Sequence, residues 1–196
     1  MEQLRMSLEL DNSIEPGVLR CGGIFSEQKN KANYSSTVPD VPVGYAIRQY
    51  APGDEVDWCR CCYGSEMGVK EISAEEFFRF MGGDETVELC NIYFLVSEKD
   101  GIVGTTTYQH RSSPGEANIH MVGLLDSHRG RGLSRCMLQY ALQKIASDGK
   151  KTVRLSTDDW RLPAIKTYLN CGFLPDTTDE GVKARWRAVL GKLGVN

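Results

Sequence analysis

A mixed α/β fold is predicted, and three features of the order of elements predict it. Two helix patterns come early, an antiparallel hairpin and a further strand follow, and the second half alternates strand, helix, strand, helix. That order disfavours a repeating parallel sheet and favours a mostly antiparallel one flanked by helices. The 196 residues suit one domain with an extension, enough to bury a core without disulfide staples.

Residues 1–42 read as an N-terminal extension. "GVLRCGGIF" suggests a short strand, and the polar "SEQKNKANYSSTVPDVP", with two prolines, reads as loop. A strand over Tyr45–Gln49, a Pro-Gly turn and a helix starting near Asp54 follow. Ser73 and Glu76 make a capping box ahead of "FFRFM", and Gly82-Gly83 ends that helix. "LCNIYFLVSEKDGIVGTTTYQH" carries two strand runs joined by Asp100-Gly101, a hairpin signal. A third strand, Ala117 to Leu125, leads into a helix reaching Ser147, with Met137, Tyr140, Ala141 and Ile145 on one face and Gly149 as its stop. "KTVRLSTDD" is another strand, and "WRLPAIKTYLNCGF" a short helix stopped at Gly172. Glu180–Leu193 is a last amphipathic helix, packed on the domain or forming a homodimer contact.

Composition narrows the function classes. A net charge of −3 and a pI of about 5.7 argue against nucleic acid as a partner. No apolar run approaches the ~18 residues of a membrane span, and "MEQLRMSLEL" has no apolar leader, so "NYS" at Asn33 is not expected to be glycosylated. The seven cysteines are odd in number and fall mostly in helices and strands, which points to a reducing cytoplasmic setting. "CRCC" at Cys59–Cys62 lacks metal-site spacing and reads as helix packing, as do Cys136 and Cys171. No metal is expected.

The most unusual stretch is "HRGRGLS", where glycine and arginine alternate between a strand and a helix. It lacks G-x-x-x-x-G-K-[ST] and fails the dinucleotide pattern G-x-G-x-x-G at Arg135. What remains is either a surface turn with solvated arginines or an anion site: amides at a helix start have no internal partner, the helix dipole adds positive charge, and glycine permits positive φ.

The spacing Arg129-x-x-Gly132-x-Ser134 resembles the R/Q-x-x-G-x-G/A loop of the GNAT acetyltransferase superfamily, departing from it at Ser134. "AIKTYLNCGF" resembles the family's A-I-x-x-Y-x-x-x-G-F segment, and "YAIRQYAPGDEVDW" its first strand and helix. The resemblance covers residues 43–175 and leaves 1–42 and 176–196 outside. It implies a mostly antiparallel sheet whose fourth and fifth strands splay apart. Acetyl-CoA would lie between them, with its pyrophosphate on the amides of Arg129, Gly130, Arg131, Gly132, Leu133 and Ser134. Its pantetheine arm would follow Val122, Gly123 and Leu124 of "NIHMVGL".

The implied reaction is acetyl transfer to the primary amine of a small molecule by direct attack in a ternary complex. Tyr168 is the candidate acid for the departing thiolate, the alternative being a helix aromatic packed in the core. His120 is the candidate base, with Glu116 and Tyr108 as fallbacks; an amide near Leu124 is the candidate oxyanion donor. Arg161 stands where many members have asparagine and is assigned to a CoA phosphate. Trp160 is placed over the pantetheine or the acceptor, and Asp158 and Asp159 either attract a cationic acceptor or cap the following helix, with the cap preferred. Tyr63, Met67, Phe77 and Phe78 are candidates for the acceptor wall or for the core. Two alternatives stay open: acetylation of a protein N-terminus or lysine, and a CoA-binding regulatory module without catalysis. A metal-binding protein built on "CRCC" ranks behind both.

Overall fold

The Asp100-Gly101 turn closes a hairpin of two inner strands of the sheet. It joins β3 (Ile92–Ser97) to β4 (Gly101–His110), with Gly101 at φ +70°. β2 (Tyr45–Gln49) pairs with β3, and β5 (Glu116–Leu124) with β4. Beyond β5 come β6 (Thr152–Thr157), β1 (Leu4–Glu9) and the two-residue β7 (Leu174–Pro175). The order is β2-β3-β4-β5-β6-β1-β7, antiparallel throughout except between β5 and β6. This computed structural model describes residues 2–10, 41–64, 67–83 and 85–195. Among them no helix is long and apolar enough to cross a membrane.

The start of the segment read as an N-terminal extension forms a strand of the central sheet. Leu4, Met6 and Leu8 alternate into the core, and β1 pairs with β6 on one edge and β7 on the other. "LRMSLE" has the period-two apolar pattern of a half-buried strand, and both neighbours satisfy its backbone. The strand expected at residues 17–25, Cys21 and Asn33 lie outside the described residues.

Helices cover the sheet on two sides. α1 (Glu55–Cys62) and α2 (Ala74–Met81) bury Trp58, Cys59, Cys62, Phe77 and Met81 against Ile92, Phe94, Ile102 and Met121. Ser73 caps α2 by accepting from the Glu76 amide at 3.1 Å. The Glu76 carboxylate does not return the bond; it takes the Lys70 amide and the Arg79 guanidinium. On the opposite face, α3 (Leu133–Ser147), α4 (Leu162–Asn170) and α5 (Glu180–Leu193) pack on Tyr93, Tyr108, Ile119, Val153 and Leu155. Within α3, Met137, Ala141 and Ile145 are buried, with Tyr140 half-buried at the margin. α5 lies on this domain through Trp186, Val189 and Leu190.

Candidate active site

The site begins where two strands part. β5 and β6 pair only at Glu116–Asn118 against Thr152–Arg154. β5 then continues to Leu124 and β6 to Thr157 without pairing to each other. The gap is sharpened by a bulge. Thr107 opposes His120 and Thr105 opposes Gly123, so Met121 and Val122 share the single partner position at Thr106. Met121 has φ +50°, the one positive value for a non-glycine among the described residues. Such bulges re-aim side chains and backbone beside active sites.

The phase of the ladder then fixes what faces the gap. The Leu125 amide donates to the Val103 carbonyl at 2.9 Å, and antiparallel pairs alternate between bonded and unbonded. Gly123, opposite Thr105, therefore turns its amide toward β4, and Leu124 turns its own toward the open edge. This corrects the expectation that both would offer backbone contacts. Gly123 is glycine for another reason: a Cβ there would stand 2.6 Å from the Cys61 carbonyl oxygen of α1. The Val122 side chain packs against the core on the α3–α5 side.

The arginine-glycine loop lies directly after that edge. Gly130 and Gly132 take φ +76° and +74°, and a Cβ on either would meet nothing within 4 Å. Their role is backbone conformation rather than packing. The first bond inside α3 runs from the Cys136 amide to the Gly132 carbonyl. The amides of Leu133, Ser134 and Arg135 thus precede the helical ladder, at the positive end of the dipole. Arg131 braces the loop, donating to the Tyr45 hydroxyl at 2.9 Å and the Ser127 carbonyl at 3.1 Å. The same Tyr45 hydroxyl lies 3.0 Å from Nδ1 of the buried His128. Arg129 forms an exposed pair with Asp126 at 2.8 Å. Tyr45 and His128 escaped sequence reasoning because nothing local links positions 45 and 128.

Tyr168 lies on α4 within the core, edge-on to Phe173. Burial raises its phenol above the usual range, and the Arg161 charge works against that rise. The phenol therefore stays protonated through neutral pH, as a proton donor must. Arg161 precedes α4, with its guanidinium 5.2 Å from the Trp160 ring centroid and 3.9 Å from Asp158. Its charge also acts on the Cys62 thiol of α1. Trp160 itself is half exposed.

His120 is half-buried on β5, opposite Thr107. The fallback bases are otherwise engaged. Tyr108 is buried and donates to Asp148. Arg154 holds the Glu116 carboxyl below its usual range through two hydrogen bonds. Asp158 and Asp159 do not cap α4: Asp159 pairs with Arg185 of α5, and Asp158 accepts from Gln3. Phe77 is core and Met67 packs against it, while Tyr63 and Phe78 are exposed. Cys59, Cys61, Cys62, Cys136 and Cys171 are buried, and burial pushes the Cys61 and Cys171 thiols up to about 12. Among the described residues no three His, Cys, Asp or Glu side chains gather as a metal site.

These residues fit acetyl-CoA. Open amides at the α3 start suit a pyrophosphate, and the unpaired Leu124 edge suits an amide-bearing arm. On the β6 side, the buried Thr157 hydroxyl has no hydrogen-bond partner among the described residues.

Comparison with known proteins agrees with this geometry. The acetyltransferase (GNAT) family profile matches residues 57–173, more than half of the chain. Mycothiol acetyltransferase of Cellulomonas flavigena is 28% identical over 163 residues, covering 72% of this chain and 44% of that protein. The protein of the same name from Actinosynnema mirum is 25% identical over 158 residues, covering 77% and 48%. The chain thus spans about half the length of these relatives. A GCN5-related N-acetyltransferase from Sphaerobacter thermophilus shares the fold at TM-score 0.63 and 20% identity, over 90% of this chain and 50% of that one. N-acetylglutamate synthase from Neisseria gonorrhoeae, complexed with coenzyme A and N-acetyl-glutamate, aligns at TM-score 0.50 and 14% identity over 64% and 28%. From the anion loop through the parted strands to the tyrosine helix, this chain belongs to the GNAT acetyltransferase family.

Proposed function

We propose that this chain transfers the acetyl group of acetyl-CoA to the primary amine of a small molecule. The supporting observation is one juxtaposition: an anion-binding helix start stands at the end of a strand edge that has no partner. Acetyl-CoA supplies an activated acyl carbon. The amides of Gly130 to Ser134 bind the pyrophosphate, and the open edge at Leu124 aligns the arm and offers a donor to the thioester oxygen. With both reactants held, much of the barrier is removed by positioning.

Atoms balance without a covalent enzyme species. The carbon–nitrogen bond forms as the carbon–sulfur bond breaks, His120 takes a proton from the amine, and Tyr168 gives one to the thiolate. Arg161, beside Tyr168, adds positive charge where the thiolate develops. The catalytic unit is residues 43–175, with β1 completing its sheet and α5 supporting α4.

Thiol release from acetyl-CoA across a panel of amines, in the wild type and Tyr168→Phe, tests the reading. The variant should keep its KM for acetyl-CoA and lose about 10²-fold or more in kcat, as expected when an acid is removed. An unchanged kcat would remove Tyr168 as the acid. Failure to bind acetyl-CoA would end the proposal altogether.

A further inference from the structure

A cleft of about 330 Å³ lies on the sheet face opposite α3–α5. Its polar lining residues alternate along β1, β5 and β6 with the core residues Leu4, Ala117, Ile119 and Val153, and Met6 and Leu155 line it as well. Asn118 and Ser156 also line it. Asn118 is the last β5 residue paired with β6, so the cleft opens onto the point where the strands part. His120 is two residues further along β5, about 7 Å by strand geometry.

Five ionic side chains line this cleft: Arg5 of β1, Arg111, Glu116 of β5, Arg154 of β6, and Asp176 just after β7. Three cations against two anions leave one positive charge in excess, in a chain whose net charge is −3. The two inner groups largely satisfy each other. Arg154 donates to both Glu116 oxygens at 3.0 and 3.1 Å. Arg111 stands 3.5 Å from the same carboxylate, with its side chain 45% accessible. Arg5 meets Glu2 in an exposed pair, with both side chains more than half accessible. Such a pair is weakly held and yields to a better partner.

We propose that the acceptor is a small amine that also carries a carboxylate, an amino acid or a close analogue. Arg5 and Arg111 take the carboxylate, whose planar geometry matches the guanidinium fork, and the amine points to the gap. This rests on the acetyl-transfer reading and narrows its substrate. It also gives the N-terminal strand a role in specificity as well as in the sheet.

The test is thiol release from acetyl-CoA with matched amines: amino acids with acidic, hydroxylated and aliphatic side chains, each beside its carboxamide and its decarboxylated amine. At least one free acid should exceed both partners by about tenfold in kcat/KM. Arg5→Gln and Arg111→Gln should each raise KM for that acid about tenfold, or about 1.4 kcal/mol. Neither should alter KM for acetyl-CoA or turnover of the carboxamide. Arg111 lies outside the strands, so its variant repeats the test without disturbing the sheet. Equal turnover of acids and carboxamides, or equal losses on both in the variants, overturns the inference while acetyl transfer stands. Acetyl-CoA bound without thiol release from any amine overturns both.

Discussion

Gly123→Ala separates two physical reasons for a glycine in β5. If its missing side chain makes room for α1, the cost falls on folding; if it makes room for a ligand, the cost falls on binding. A Cβ at this position stands 2.6 Å from the Cys61 carbonyl oxygen, 3.0 Å from its carbon and 3.1 Å from the Cys62 sulfur. Two of these atoms are helix backbone and do not rotate away. At Gly104, by contrast, the nearest atom is the Met137 sulfur at 2.9 Å, on an unbranched and flexible side chain. Overpacking against a fixed wall costs about 1–3 kcal/mol. A stiffer unfolded chain returns roughly 0.4–1 kcal/mol. The net loss of about 1–2 kcal/mol lowers Tm by roughly 2–8 °C for a chain of this size. Thermal unfolding of Gly123→Ala beside Gly115→Ala, where a Cβ meets nothing within 4 Å, makes the comparison. The control should stay within about 0.5 kcal/mol of wild type. If Gly123→Ala melts with the control and only its KM for acetyl-CoA rises, the α1 explanation is wrong.

Met6→Ala tests whether β1 belongs to the folding unit. Met6 is 1% exposed between Leu155 and Pro175, so truncation should cost about 2–5 kcal/mol in denaturant unfolding; wild-type stability would mean a dispensable strand. Gly132→Ala has open space for its methyl group but must hold φ +74°, a penalty of about 1–2 kcal/mol. The distorted amides should raise KM for acetyl-CoA about fivefold or more with kcat preserved, and a kcat defect alone would contradict the anion-site role. Glu76→Gln concerns acid stability. The Arg79 guanidinium, then the Lys70 amide, holds the Glu76 carboxyl down to about 2. A depressed carboxyl stabilises the fold above its ordinary value near 4.5, and that contribution is lost as pH falls toward 2. The variant should be less stable at pH 7 and show a shallower loss between those limits; an unaltered acid limb in a pH series of unfolding curves would show that the pair contributes nothing.

Much of the fold was legible because its signals are local. Asp100-Gly101 demands a tight turn, Ser73 caps the helix that follows it, and Gly172 takes φ +90° directly after α4. Each requirement lies within a few residues of the feature it sets. β1 has the right alternation, but its partner begins near position 152, and nothing nearby says which edge it joins. Asp158 and Asp159 failed as caps for a related reason. Their partners, Gln3 and Arg185, arrive from the two ends of the chain.

The site divides along the same line, and Tyr168 shows why. The anion loop and the tyrosine segment are each contiguous in the chain, so their resemblance to the family's motifs was legible in the sequence. The cleft arginines come from positions 5, 111 and 154, on β1, a loop and β6, and only the closed sheet brings them together. For Tyr168, core packing and proton donation looked like competing explanations in the sequence. In the fold the ring is packed in the core, and that packing is compatible with the proposed acid role. The burial that makes the ring a core residue also raises the phenol's pKa, and a raised pKa keeps the phenol protonated through neutral pH. The Arg161 charge works against that rise, so in the proposed acid role burial of α4 favours holding the proton and Arg161 favours releasing it.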